Sequence, residues 1–314
     1  MRIFNGFEKK MDIPNPVLTI GTFDGVHLGH QKILNQLKEE AEKMEGESVL
    51  FTFYPHPRMV LFPENHGLKL IQTQEEKLDK LERNGLNNII VFPFTQDFAN
   101  LTATEFVRDY LVGLLNVRKL VIGHDHQFGK NREGGLSFLK TISKEYDFEV
   151  IEIPAQEIDE VNISSTRIRK AIESGNLEIA NAYLGEPFEL KGLVVKGKEL
   201  GRTIGFPTAN IQINSELKIL PAQGVYAVEI ELPNHSIYKG MMNIGVRPTV
   251  TNEQNISLEV NIFDFSGDLY GSEIIVRLLS RTRSEQKFNS IEELTNQLKQ
   301  DEKNIRLLTA SLRL

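Results

Sequence analysis

The stretch Gly21–His30, GTFDGVHLGH, constrains this chain more than any other. The apolar run Val17-Leu18-Thr19-Ile20 leads into it, and Ile33, Leu34, Leu37, Ala41 and Met44 follow at spacings that stay on one helix face. That order predicts a strand, a tight glycine turn and the start of a helix. In an open α/β sheet such a turn lies at the carboxyl end of its strand, where ligands bind. Gly21, Gly25 and Gly29 lack a Cβ, so anionic oxygens can approach the main chain. The unpaired N–H groups of the first helical turn add an anion site. His27 and His30 stand three residues apart beside that turn, where two imidazoles can donate to a phosphate as charge builds during in-line displacement. Two other uses stay open on spacing alone. One is an ordinary structural turn; the other is a pair of metal ligands, although the chain has no cysteine to complete a thiolate set.

The first half continues as alternating strands and helices. Strands are expected at Ser48–Phe53, Asn88–Phe92, Lys119–Gly123 and Phe148–Ile153, with helices around Glu75–Arg83 and from Thr102 through Leu115. The first of these helices stops at Asn84-Gly85 and the second opens on the capping-box spacing of Thr102 and Glu105. Strands separated by helices of this length imply a parallel, doubly wound α/β sheet. Asn176–Leu184 makes a short helix ending at Gly185, and Glu186-Pro187 marks the expected boundary between domains 1–185 and 186–314.

Beyond that boundary the period changes to two. Tyr226, Val228, Ile230 and Leu232 alternate with Ala227, Glu229 and Glu231, and Ile256, Leu258, Val260 and Ile262 repeat the pattern. A small antiparallel β-barrel is expected, followed by an amphipathic helix capped by Ser290 and Glu293. Gly197–Asn210, GKELGRTIGFPTAN, brings Gly197, Gly201 and Gly205 before a Pro-Thr-Ala-Asn turn. The Thr208 hydroxyl and the Asn210 carbonyl are hard oxygen ligands suited to Mg²⁺. Glu259 lies on the polar face of its strand, where it can accept a proton from an attacking hydroxyl.

GTFDGVHLGH resembles the HxGH signature of nucleotidyltransferases, in the form found in bacterial bifunctional riboflavin kinase/FAD synthetases. The resemblance extends to GHDHQFGKNREGG at Gly123–Gly135, to NISSTRIR at Asn162–Arg169 and to GFPTAN in the second half. It implies that His27 and His30 stabilise the transition state at an α-phosphate. It also places Gly21, Phe23, Asp24, Gly29, Ser164, Ser165, Thr166 and Arg169 on the nucleotide of the first domain. Asp125 and Phe128 are implied to help hold flavin, with Phe62 a further candidate; His126 stands where phenylalanine is usual. In the second domain the resemblance implies that Gly197, Gly201, Gly205, Thr208 and Asn210 take ATP, that Thr208 and Asn210 ligate the metal, and that Glu259 is the catalytic base. Arg283 matches an arginine near the flavin, Asn243 and Arg247 belong to a further string, and Asn261 replaces the usual histidine.

The expectation is therefore an enzyme with two ATP-dependent sites, acting on riboflavin and FMN with Mg²⁺ and yielding FAD. A net charge of −7 without a basic block speaks against nucleic acid and anionic membranes as partners. No apolar run approaches the ~18 residues of a spanning helix. The segment MRIFNGFEKKMDIPNP lacks the apolar core of a signal peptide, so a cytoplasmic location is expected. A homo-oligomer is left open. So are two rival readings: an enzyme with one working site, and a regulator that binds flavin or nucleotide without turnover.

Overall fold

The computed structural model describes residues 1–7, 9–64, 67–124, 126–154, 163–197, 200–247 and 255–311. The chain divides into two compact units, Met1–Ser165 and Thr166–Leu314.

The first unit is built on a six-stranded sheet whose strands are β1 (Arg2–Asn5), β2 (Val17–Ile20), β3 (Ser48–Tyr54), β4 (Asn88–Pro93), β5 (Lys119–Gly123) and β6 (Glu149–Ile153). Their order is β1-β4-β3-β2-β5-β6, and every pairing is parallel. The expected strands are all present, and β1 adds an edge that the reading of the sequence lacks. RIFN is mostly exposed, so no apolar alternation announces it. It is held by pairing to β4, from Arg2 opposite Asn88 to Asn5 opposite Val91.

Residues alternate between two faces, and helices cover both. Leu18, Ile20, Phe51 and Ile122 pack with Phe106, Leu111 and Leu139 on one side. Val17, Leu50, Ile89 and Val121 pack with Leu34, Leu37 and Leu81 on the other. With both faces covered, the strands are apolar runs rather than half-polar ones. The helix expected through Leu115 opens on the Thr102–Glu105 capping box, then widens into a π-helix over Phe106–Leu114, with Leu115 N–H donating to Tyr110 O at 3.0 Å. At the far end of the sheet, Lys119 on β5 joins Glu40 at 2.8 Å and Glu149 at 2.9 Å, while Lys43 reaches Glu40 at 2.6 Å.

In the second unit, the helix Ser165–Ser174 from its second residue onward and the helix Leu177–Leu184 precede a closed six-stranded barrel. Its strands are β7 (Phe188–Val195), β8 (Ala209–Gln212), β9 (Gly224–Glu231), β10 (Ile237–Arg247), β11 (Asn255–Ile262) and β12 (Glu273–Arg283). They close in the order β10-β11-β8-β7-β12-β9. Asn181 fastens the second helix to the barrel: its amide donates to Leu278 O at 2.9 Å and its carbonyl accepts from Phe188 N–H at 2.8 Å. β9 is buried along nearly its whole length, not on alternate residues. The C-terminal helix Ile291–Ser311 explains this, because Ile305 seals Val225, Ala227 and Met241 on the outer wall together with Phe206 and Leu279.

The Lys119 and Lys43 ammonium groups hold the Glu40 carboxyl down to about 2. Its contribution to stability is complete above the ordinary carboxyl value of 4.5 and is lost as pH falls through about 2. Glu40→Gln should therefore cost on the order of 2 kcal/mol at pH 7. Denaturant unfolding across a pH series should show that difference shrinking between 4.5 and 2.

Candidate active sites

The strand order reverses at β2: β3 and β4 extend the sheet to one side, β5 and β6 to the other. The crevice outside the carboxyl ends at such a reversal is where α/β sheets bind ligands, and Gly21–His30 occupies it. The helix Leu28–Lys43 begins with His27 as its N-cap, so Gly29 and His30 lie in its first turn. The turn before it is strained. Phe23, Gly25 and Val26 have φ of 51°, 91° and 38°, and a β-branched residue in that region is unusual.

The glycines serve this geometry. A Cβ on Gly25 would meet Ile71 at 3.0 Å, and one on Gly21 would press on the Phe23 ring at 2.9 Å. Asp24 is buried, its carboxylate accepting from the amides of Ile71 and Gln72 at 3.1 to 3.2 Å. Ser165, the last residue of the first unit, donates through Oγ to Asp24 O at 2.9 Å. Ser164 precedes that helix, and Thr166 and Arg169 follow along it.

The two histidine rings stack with centroids 3.6 Å apart and planes 16° apart, and Phe23 continues the stack at 4.6 Å from His30. His30 N–H points at His27 Nδ1 at 3.3 Å, which makes that nitrogen the acceptor and leaves the proton of a neutral His27 on Nε2. Burial, the adjacent His27 and the nearby Lys80 and Lys77 ammonium groups hold His30 well below 6.5. At neutral pH it is therefore an uncharged imidazole.

Beside the turn opens a cavity of about 700 Å³. Gly21 and Thr22 form one edge, Phe62, Phe94, Phe98 and Phe106 the aromatic wall, and His126, Phe128 and Arg132 the side after β5. Phe62 is 59% exposed, so a planar ligand entering here gains a large contact. Phe128 sits 5.4 Å from Phe106, against Gly134, where any Cβ would strike its ring. His126 lies 5.7 Å from Phe128. Asp125, placed with this group on the sequence, lies outside the described residues.

The barrel carries the second site. Register sets Glu259 opposite Asn210 on β8 and opposite Asn243 on β10, and directly opposed residues share a face. A Cβ at Gly197 would overlap the Asn210 amide, so glycine here makes room for that side chain. Gly201 is the tight point of the following turn: Phe206 N–H donates to Gly201 O at 2.8 Å, leaving no room for a Cβ. Gly205 has φ of 84°. Thr208 lines a cavity of about 650 Å³ together with Arg202, Phe265, Asp268 and Tyr270.

Two features here were not foreseen. Asn261, buried two residues after Glu259, donates to Pro207 O at 2.7 Å and so ties the strand of the glutamate to the loop of Thr208. Arg283, expected near flavin, has its guanidinium on Asp301 of the C-terminal helix at 2.8 to 3.1 Å. Among the described residues no group of three or more His, Cys, Asp or Glu side chains is placed to hold a metal. A cation in the barrel therefore has hydroxyl and amide oxygens to use. No described helix is long and apolar enough to cross a membrane.

A family model described as FAD synthetase matches residues 9–167, and one described as riboflavin kinase matches residues 184–309. A bifunctional riboflavin kinase/FMN adenylyltransferase of Bacillus subtilis (strain 168) is 40% identical over 289 residues, covering 91% of this chain and 90% of that protein. The protein of the same description from Escherichia coli (strain K12) is 40% identical over 304 residues, covering 96% of each. A crystal structure described as a macrolide-efflux protein from Streptococcus pneumoniae superposes with a TM-score of 0.85 at 36% identity, covering 96% of this chain and 95% of that one.

Nitrogen-15 histidine NMR checks the stacked pair. A neutral His27 should carry its proton on Nε2, and His30 should stay neutral well below pH 6.5. A His30 that titrates at 6.5 would contradict this geometry.

Proposed function

The chain belongs to the bifunctional riboflavin kinase/FMN adenylyltransferase family, and from that premise we propose that it makes FAD from riboflavin in two ATP-dependent steps. The observation that carries the reading is that in each family-matched half a cavity is lined by part of the turn or loop that bears the candidate reactive residues. Gly21 and Thr22, of the turn that leads to the stacked His27–His30 pair, line one, and Thr208 lines the other, on a loop tied to the strand of Glu259.

In the barrel, Glu259 takes the proton of the ribityl 5′-hydroxyl of riboflavin. The hydroxyl oxygen bonds to the γ-phosphorus of ATP, the bond to the bridging oxygen breaks, and ADP leaves with FMN formed. Thr208 and Asn210 would hold Mg²⁺, and the seat that Gly197 leaves for the Asn210 amide fits such a ligand. When bound, that ion neutralises charge on the phosphates. Gly197, Gly201 and Gly205 shape the loop that receives ATP. Arg283 serves the flavin end through the strand it anchors to Asp301.

In the α/β unit a phosphate oxygen of FMN bonds to the α-phosphorus of a second ATP and pyrophosphate leaves. His27, through Nε2–H, and His30 donate to the α-phosphate oxygens as charge builds. Gly21, Phe23, Asp24 and Gly29 form and brace the nucleotide turn, while Ser164, Ser165, Thr166 and Arg169 take the leaving pyrophosphate. Phe62 and Phe128, with Asp125, hold the isoalloxazine. Adenylyl transfer belongs to residues 1–185 and phosphorylation to 186–314, in the cytoplasm and without nucleic acid or membrane as partner.

Two variants test the division of labour. His27→Ala should slow FAD formation from FMN by about 10²-fold or more, with FMN formation from riboflavin within about twofold of wild type. Glu259→Ala should do the reverse, losing about 10²-fold or more in the kinase step. Loss of both activities in either variant would contradict independent sites.

A further inference from the structure

The turn between β2 and the first helix is held from behind at every carbonyl. Thr22 O accepts from Lys77 Nζ and from Thr52 Oγ1, each at 3.3 Å. Phe23 O accepts from Val26 N–H at 3.2 Å and Asp24 O from Ser165 Oγ at 2.9 Å. Gly25 O accepts from Lys80 Nζ at 3.2 Å and Val26 O from Gln31 Nε2 at 3.0 Å. With these oxygens claimed, the strained backbone has one stable arrangement.

Two of these six anchors are ammonium groups that are 6% and 3% exposed. Lys77 and Lys80 sit on one face of helix Gln74–Arg83, which is itself registered to the turn. Its Thr73–Glu76 capping box fixes the first helical turn, and the preceding amides of Ile71 and Gln72 bind the Asp24 carboxylate. Burying two cations costs far more than burying neutral donors that could reach the same carbonyls. Hydrogen bonding alone does not account for the choice of lysine. We infer that Lys77 and Lys80 are positioning residues of adenylyl transfer, which lock the Thr22–Val26 turn and set a positive field behind the His27–His30 pair.

The field has two effects. It attracts the polyphosphate to the open side of the turn. It also adds to burial, the larger cause, in keeping His30 uncharged, the groups acting on that ring being His27 from the turn and Lys80 and Lys77 from the facing helix. The carboxylate among these groups is Asp24, which acts on Lys77 and is engaged by the Ile71 and Gln72 amides. Burial lowers Lys77 to about 8, so its charge is present at neutral pH and is lost through about pH 8.

The inference rests on reading this turn as the site of adenylyl transfer. Its test follows FAD formation from FMN in the full chain, with FMN formation from riboflavin measured on the same samples. Lys80→Met should unfold within about 3 °C of wild type or above it, because exchanging a buried charge for an apolar isostere is often neutral or stabilising. Its kcat for FAD formation should nevertheless fall by about tenfold or more. In the wild type kcat should decline through pH about 8 as Lys77 deprotonates, and Lys77→Arg, which keeps its charge, should abolish that decline. Wild-type FAD formation in Lys80→Met overturns the inference, as does a wild-type profile that Lys77→Arg leaves unchanged. If Lys80→Met fails to fold, the comparison of wild type with Lys77→Arg decides alone. A wild type that makes no FAD from FMN at any pH defeats the underlying reading itself, an outcome distinct from active wild type with unaffected variants.

Discussion

The α/β half depends on keeping a left-handed backbone turn in place. Phe23 and Val26 adopt positive φ that their side chains disfavour, a cost of order 1–3 kcal/mol each that surrounding structure must offset. The offset comes from groups far apart in sequence: Lys77 and Lys80 from one helix, Thr52 from β3, and Ser165, on the carbonyls of Thr22, Asp24 and Gly25. Because those groups sit on packed elements, the turn cannot relax without moving the core. The stacked histidines are correspondingly preorganised, and donors that need no reorganisation as charge develops are the efficient kind.

The barrel reaches the same end by register. Glu259, Asn210 and Asn243 stand in one row because β8, β11 and β10 are antiparallel neighbours. Slipping β11 by one residue would turn Glu259 into the barrel and Leu258 out of it, so burial of Leu258 and Val260 enforces the position of the base. The bond from Asn261 to Pro207 O then ties the Thr208 loop to the same strand.

Local chemistry made much of this legible in the sequence. Apolar runs identified the buried strands, Asn84-Gly85 and Thr102–Glu105 marked helix ends, and the glycine spacing identified both turns. Long-range pairing stayed hidden. Lys77 and Lys80 lie in QEEKLDKLER, which reads as a solvated charged helix, and only its contact with a turn some fifty residues earlier shows that these cations face inward. Asn261 and Arg283 acquire their roles from Pro207 and Asp301 across the fold. β1 escaped notice because an exposed edge strand needs no apolar period. Glycine had a different use from open access: at Gly25 and Gly197 it admits Ile71 and Asn210.

The most direct measurement is a chromatographic time course of the purified chain with riboflavin, ATP and Mg²⁺. Two sites working in sequence predict that FMN rises first and then declines as FAD accumulates. Flavin that binds while neither FMN nor FAD forms would contradict the account and leave a binding protein in place of an enzyme.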